Sequence, residues 1–228
     1  MQSVLTLLTS ATRTSLVKTF SGSGLEEQPF SIGKDFNVTE EPVSYLQSLS
    51  KILQRLENDS TQTIMLVALV SDTGMRLAEG AGLLKSDIIL DADIPYISLT
   101  LHLWRPLKTS GSKRDIPLVG ASLWAAQRLS ESFPDSPFAF LRYNRKDTTN
   151  SNSASAALNK WLYQYVPEGC TMHSFRHSMR DRLRAVECPS DVIDQIGGWA
   201  TEGVGQGYGE GYELKVCARW MQCIALHD

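Results

Sequence analysis

Apolar residues recur along this chain at a few characteristic spacings, and the points where the spacing changes divide it into elements. Between Tyr45 and Leu56, the residues Leu46, Leu49, Ile52, Leu53 and Leu56 fall three and four apart, which predicts an amphipathic helix with one face turned inward. Thr63 to Val70 is apolar on every side, as a helix buried at the centre of a domain would be. It runs directly into Ser71-Asp72-Thr73-Gly74-Met75-Arg76, and a second helix is expected from Leu77 to Leu84. Three extended stretches follow: Asp87 to Leu90, Ile94 to Trp104 and Asp115 to Val119. The polar connector Lys108 to Arg114 joins the last two, so the region reads as a small antiparallel sheet with a long hairpin. Helical spacing then returns over Ala121 to Phe133, Ala154 to Tyr165, Ser174 to Val186 and Ser190 to Ile196, where Gly197-Gly198 supplies a stop. Residues 203 to 211 read GVGQGYGEG; glycine at every second position is too flexible for a helix or strand interior, so a mobile loop holding Tyr208 is expected. A last helix is expected from Leu214 to Ile224. The fold class is therefore α+β, mostly α-helical with a small antiparallel sheet.

Composition narrows the setting. With 228 residues, 42% of them hydrophobic, the chain can form one sizeable core or two small ones. Its longest apolar run, Ile64 to Val70, is far shorter than the ~20 residues of a membrane-spanning helix, so no membrane partner is expected. Cys170, Cys188, Cys217 and Cys223 show no CxxC spacing, which fits reduced thiols and a cytoplasmic location. The first twenty residues lack acids and are rich in Ser and Thr; sparse arginine and the lack of a cleavage pattern favour a helix or arm over a transit peptide. Ser21 to Gly24 reads as a flexible connection, so residues 1–44 are expected to be an arm and linker and residues 45–228 the main domain.

A net charge of −3 and a pI near 5.8 argue against binding nucleic acid by bulk electrostatics. The cations are clustered, however: Arg105, Lys108, Lys113 and Arg114, then Arg142, Arg145 and Lys146, then Arg176, Arg180, Arg182 and Arg184. A local basic face can hold phosphates on an acidic protein. Two guanidinium groups from distant segments, Arg76 and Arg176, could each donate paired hydrogen bonds to one phosphodiester. A tyrosine on a mobile loop is a candidate covalent nucleophile, and fixed cations would stabilise the five-coordinate transition state without a metal. A hairpin lysine could protonate a departing oxygen, and His173 could share proton transfer or hydrogen-bond the phosphate. The spacing of His173 and His177 invites a zinc reading, but no Glu follows His173 as HExxH requires and no third ligand is evident. The alternating glycines lack the lysine and preceding strand of a nucleotide-binding loop.

Four segments carry this chemistry in order: TGMRLAEGAGL at 73–83, LKTSGSKRDIPL at 107–118, HSFRH at 173–177 and GGWATEGVGQGYGEGY at 197–212. Taken together they resemble the tyrosine recombinase (phage integrase) family over roughly residues 45 to 224. The family's pattern is an Arg in a TGxR box, a hairpin Lys, an HxxR pair, a His or Trp, and a Tyr close behind. The resemblance thus assigns catalytic roles to Arg76, Lys108, His173, Arg176, Trp199 and Tyr208, with Glu79 buttressing the first arginine. Lys113 is the fallback for Lys108, and Tyr212 is second choice to Tyr208. Trp199 stands where His is more frequent and would donate through its indole N–H. Arg105, Lys113, Arg114 and Arg180 are expected to contact DNA.

The resemblance further implies cleavage and rejoining of double-stranded DNA through a 3′-phosphotyrosine bond, with no metal, cofactor or ATP. It implies a homotetramer on paired sites, with Leu214 to Ile224 docking on a neighbour. It also implies that a separate N-terminal DNA-clamping domain is missing from this chain. The rival readings are a type IB topoisomerase-like enzyme, which relaxes supercoils as a monomer, and a DNA-binding relic without catalysis.

Overall fold

The computed structural model describes residues 62–107, 112–132, 134–145, 148–199 and 211–225. The expected helix from Tyr45 to Leu56, the N-terminal arm, Lys108 and Tyr208 lie outside the described residues.

Helix α1, Gln62–Thr73, is the apolar stretch, and Ile64 through Thr73 are all buried. Its lack of a polar face is explained by its neighbours: α3 (Gly120–Glu131) and α5 (Met172–Ala185) both pack against it. Gly74 ends it with φ 59°, a left-handed conformation that glycine adopts without steric cost. The short helix α2, Leu77–Ala81, follows at once. It is shorter than its sequence pattern suggests because the chain turns at Gly82, where an added Cβ would lie 2.8 Å from the Arg105 side chain.

Strands β1 (Ile88–Ile89), β2 (Tyr96–Leu99) and β3 (Arg114–Pro117) form an antiparallel sheet in that order. Ile97 lies opposite Ile116, and Leu99 opposite Arg114; Ile97, Leu99 and Ile116 face the core, while Ser98 donates a hydrogen bond to Asp115 at 2.8 Å on the outer side. The extended run expected to reach Trp104 stops at Leu99. Beyond it the chain makes a tight turn from His102 to Arg105, closed by reciprocal backbone hydrogen bonds, which carries Arg105 inward.

A second, two-stranded sheet pairs β4 (Asn144–Arg145) with β5 (Thr148–Thr149); strands of two residues leave no periodicity to detect. Helix α4, Ser151–Leu162, starts three residues earlier than the apolar pattern because Asn150 accepts the Ser153 N–H in its side chain at 2.9 Å. Helix α5 is followed by α6, Ser190–Gly197, and α7, Leu214–Ile224.

Helix α7 buries Cys217, Met221 and Ile224 and packs on β3 and α5 of its own chain. Arg182 secures it, donating to the Ile224 carbonyl at 2.9 Å, to Asp72 at 3.0 Å and to the Ser71 carbonyl at 2.5 Å. One guanidinium thereby ties the end of α7 to the end of α1. Among the described residues, no helix is long and apolar enough to cross a membrane.

Candidate active site

Three arginines converge on the corner where α6 ends. Arg76, between Gly74 and α2, donates to Glu79 Oε1 at 2.6 Å, to Ser112 Oγ at 3.2 Å and to the Gly198 carbonyl at 3.4 Å. Its backbone N–H also reaches Glu79 Oε2 at 2.9 Å, so this carboxylate both caps the helix and braces the guanidinium. Arg114, on β3, donates to Glu79 Oε2 at 3.1 Å, to the Ser112 carbonyl at 2.8 Å and to the Ile196 carbonyl at 2.8 Å. Arg176, in the second turn of α5, donates to the Gly74 carbonyl at 2.6 Å and stacks over the Trp199 ring at 4.2 Å. Arg180, one turn further along α5, lies over the same ring at 4.9 Å and pairs with Asp194 at 3.2 Å.

The glycine pair at 197–198 is what allows this corner to form. Gly198 has φ 62° and ends α6 in the left-handed region. A Cβ there would meet the Arg114 guanidinium at 2.7 Å, and one on Gly197 would overlap the Trp199 ring at 1.8 Å. Small residues therefore admit an arginine on one side of the turn and an indole on the other.

The electrostatics follow from this crowding. Glu79 is 3% exposed. Burial alone would raise its carboxyl, but the Arg114 charge and hydrogen bonds from Arg76 and Arg114 outweigh burial and hold it below its ordinary value. It remains a carboxylate shared by two arginines. Arg176 is 3% exposed and is held down to about 9, first by burial and then by the charges of Arg76 and Arg114. Its Nη2 is buried without a hydrogen-bond partner. A buried, unpaired guanidinium nitrogen amid like charges is a place where an anion would be held strongly.

His173 sits on the exposed first turn of α5, below the Thr171 cap, with its ring edge-to-face against His177 at 4.7 Å. Lys113 is exposed between Ser112 and Arg114. Arg105 and Arg114 depart from their expected DNA-facing role. Arg105 is 1% exposed and donates to Asp87 at 3.3 Å and to the Thr100 carbonyl at 2.6 Å; Arg114 is buried against Glu79. Both are positioning residues of the interior. Ser112 was not anticipated: it is buried and accepts from Arg76, and its only signal in the sequence is its place two residues before Arg114.

Tyr212, the alternative nucleophile, is held elsewhere. Its hydroxyl donates to Asp191, and its backbone exchanges hydrogen bonds with Gln195 at 2.7 and 2.8 Å. Asp191 lies in the first turn of α6, about 10 Å along the helix axis from Gly198. The Asp191 carboxylate also raises the Tyr212 hydroxyl above its ordinary value, opposite to what an activated nucleophile needs.

The family model described as "Phage integrase family" matches residues 44–210, which span every one of these side chains except Tyr212. The chain belongs to the phage integrase, or tyrosine recombinase, family. Among solved structures, the integrase of the Tn1549 transposon in complex with circular intermediate DNA is 19% identical, with a TM-score of 0.51 over 80% of this chain and 66% of that one. The integrase from mycobacterium phage Brujita is 14% identical, with a TM-score of 0.56 over 98% of this chain and 68% of that one. These likenesses concern the fold, which is that of the integrase catalytic domain. The chain spans about two thirds of the length of those two solved chains. None of the curated proteins matches the sequence closely.

Proposed function

We propose that this member of the family is a site-specific DNA recombinase that cuts and rejoins DNA strands through a 3′-phosphotyrosine intermediate, using neither metal nor ATP. The observation that carries the reading is the pair of guanidiniums at the Gly198–Trp199 corner, Arg76 braced by Glu79 and Arg176 with one buried nitrogen unpaired. A scissile phosphodiester placed between them would satisfy that nitrogen and relieve the repulsion between the two cations.

In this scheme the Tyr208 hydroxyl oxygen attacks phosphorus. A tyrosyl–phosphorus bond forms as the phenolic proton passes to His173, the bond from phosphorus to the 5′ oxygen breaks, and Lys108 gives its proton to that oxygen. Attack by a 5′ hydroxyl of the partner strand reverses these steps, so the phosphodiester is restored without an energy source. Tyr208 and Lys108 take their roles from their places in the sequence motifs. Arg76 and Arg176 bear the charge of the transition state, His173 assists proton transfer, and Trp199 buttresses Arg176 and donates its indole N–H to a phosphate oxygen. Lys113 and Arg180 contact flanking phosphates. The substrate is double-stranded DNA, and the working assembly is a homotetramer on paired sites.

Incubation with nicked suicide duplexes of randomised sequence in excess EDTA tests the reading. The expected result is a protein–DNA adduct that survives denaturation, formed by the wild type and not by Arg176→Met. DNA binding by the wild type with no such adduct would overturn it.

A further inference from the structure

A buried carboxylate outside the Glu79 cluster reaches the catalytic corner through a second arginine. Arg176 and Arg180 stand one turn apart on α5, so both guanidiniums come over the Trp199 ring, 4.2 and 4.9 Å from its centre. Two cations so placed repel each other, and Arg180 is one of the charges that hold Arg176 down. Arg176 donates to a carbonyl, that of Gly74. Arg180 instead donates to Asp194 Oδ1 at 3.2 Å, its one ion pair among the described residues, while its Nε is buried without a hydrogen-bond partner. Asp194 lies in α6 and is 6% exposed. Its own carbonyl accepts the Trp199 N–H at 3.0 Å. One residue thus meets Trp199 twice, directly through its backbone and by way of Arg180 through its side chain.

We infer that Asp194 is a positioning residue for this corner: its carboxylate holds Arg180 over Trp199, and the ring so held aims its indole N–H at the scissile phosphate. The consequence for a phosphate rests on the recombinase reading, whereas the clamp itself does not. The backbone bond fixes where Trp199 starts but leaves its side-chain torsions to be set by packing. Gly197 contributes room rather than contact, since a Cβ there would overlap the ring. The direction of the indole is therefore decided by the two arginines, and only one of them is tied to a carboxylate on the helix that carries the turn. Asparagine at 194 has nearly the same size and removes the charge. Arg180, whose side chain is 33% exposed, would then extend into water, leaving Arg176 as the single cation on the ring.

Two readouts on the full chain, taken well below each variant's melting temperature, test the inference. The first needs no DNA. Tryptophan emission of each protein minus that of its Trp199→Phe counterpart isolates Trp199, and acrylamide quenching of that difference reports how closely the ring is covered. Asp194→Asn and Arg180→Gln should each raise the quenching. The second readout is the rate of adduct formation on a saturating suicide duplex, for wild type, Asp194→Asn, Trp199→Phe and the double variant. Asp194→Asn should slow the wild type roughly tenfold, part of the loss expected when a transition-state donor is misaimed. It should slow Trp199→Phe no further, because phenylalanine has no N–H to aim. Unchanged quenching in both Asp194→Asn and Arg180→Gln overturns the clamp, with or without adduct. An Asp194→Asn defect that persists in full in the Trp199→Phe background overturns the positioning role, since a merely structural effect would do the same in both. A wild type that binds duplex and forms no adduct overturns the recombinase reading and the aim at a phosphate, while raised quenching would still establish the clamp.

Discussion

Glu79 decides whether the three arginines can share one corner. Its carboxylate takes Arg76 on one oxygen and Arg114 on the other, and removing the charge would leave two cations facing each other without compensation. Glu79→Gln should therefore destabilise the fold by about 3–5 kcal/mol, the cost of breaking a buried pair from one side, as read by urea denaturation. The pH dependence follows from the lowered carboxyl. Stability from the ionised form is fully present above the unfolded value near 4.5 and is lost as pH falls through the lower folded value. Asp72, raised by burial against the pull of Arg182, acts in the opposite sense, so the difference between wild type and Glu79→Gln isolates the Glu79 share. Arg176 should behave as a residue kept for function: its charge is disfavoured in the folded state, and one of its nitrogens has no partner. Arg176→Met should leave the unfolding free energy unchanged or higher while lowering the rate of adduct formation at least about a hundredfold; equal losses of stability and rate would contradict this. At this scale the sequence revealed which arginines mattered but not which way they point. The motifs singled out Arg76 and Arg176, whereas a charge count cannot tell the inward Arg105 and Arg114 from surface cations, since burial of an arginine depends on carboxylates and carbonyls brought from other segments.

Among the elements, the turn that ends α6 controls the site most directly. Gly198→Ala would place a Cβ in the left-handed region and against the Arg114 guanidinium. It should cost about 1–2 kcal/mol in stability and, by displacing Trp199 from Arg176, reduce adduct formation more than stability alone accounts for. Comparing adduct rates with those of a core variant of similar cost such as Ile64→Val, at a fully buried position of α1, separates the two effects. Long periodic elements were readable beforehand: the last helix spans Leu214–Ile224 as expected, and the apolar α1 lies at the centre. Elements governed by other segments were not. The strand expected to Trp104 is cut short by the inward pull on Arg105, and the β4–β5 pair is too brief to leave a pattern.

For the molecule as a whole, the fold brings residues from 76, 112–114, 176–180 and 196–199 to one corner, while the Tyr212 hydroxyl is held by Asp191 at the opposite end of α6 and its backbone by Gln195 in the last turn of that helix. The proposal that Tyr208 carries the chemistry rests on its place in the sequence motifs. The order of motifs along the sequence already separated these two residues, and the structure adds a physical reason to set Tyr212 aside. The most direct measurement is peptide mapping by mass spectrometry of the adduct formed on a suicide duplex, with Tyr208→Phe and Tyr212→Phe in parallel. The expected result is a phosphodeoxynucleotide on Tyr208, absent from Tyr208→Phe and retained in Tyr212→Phe. A modified Tyr212, or an adduct that survives in Tyr208→Phe, would contradict it.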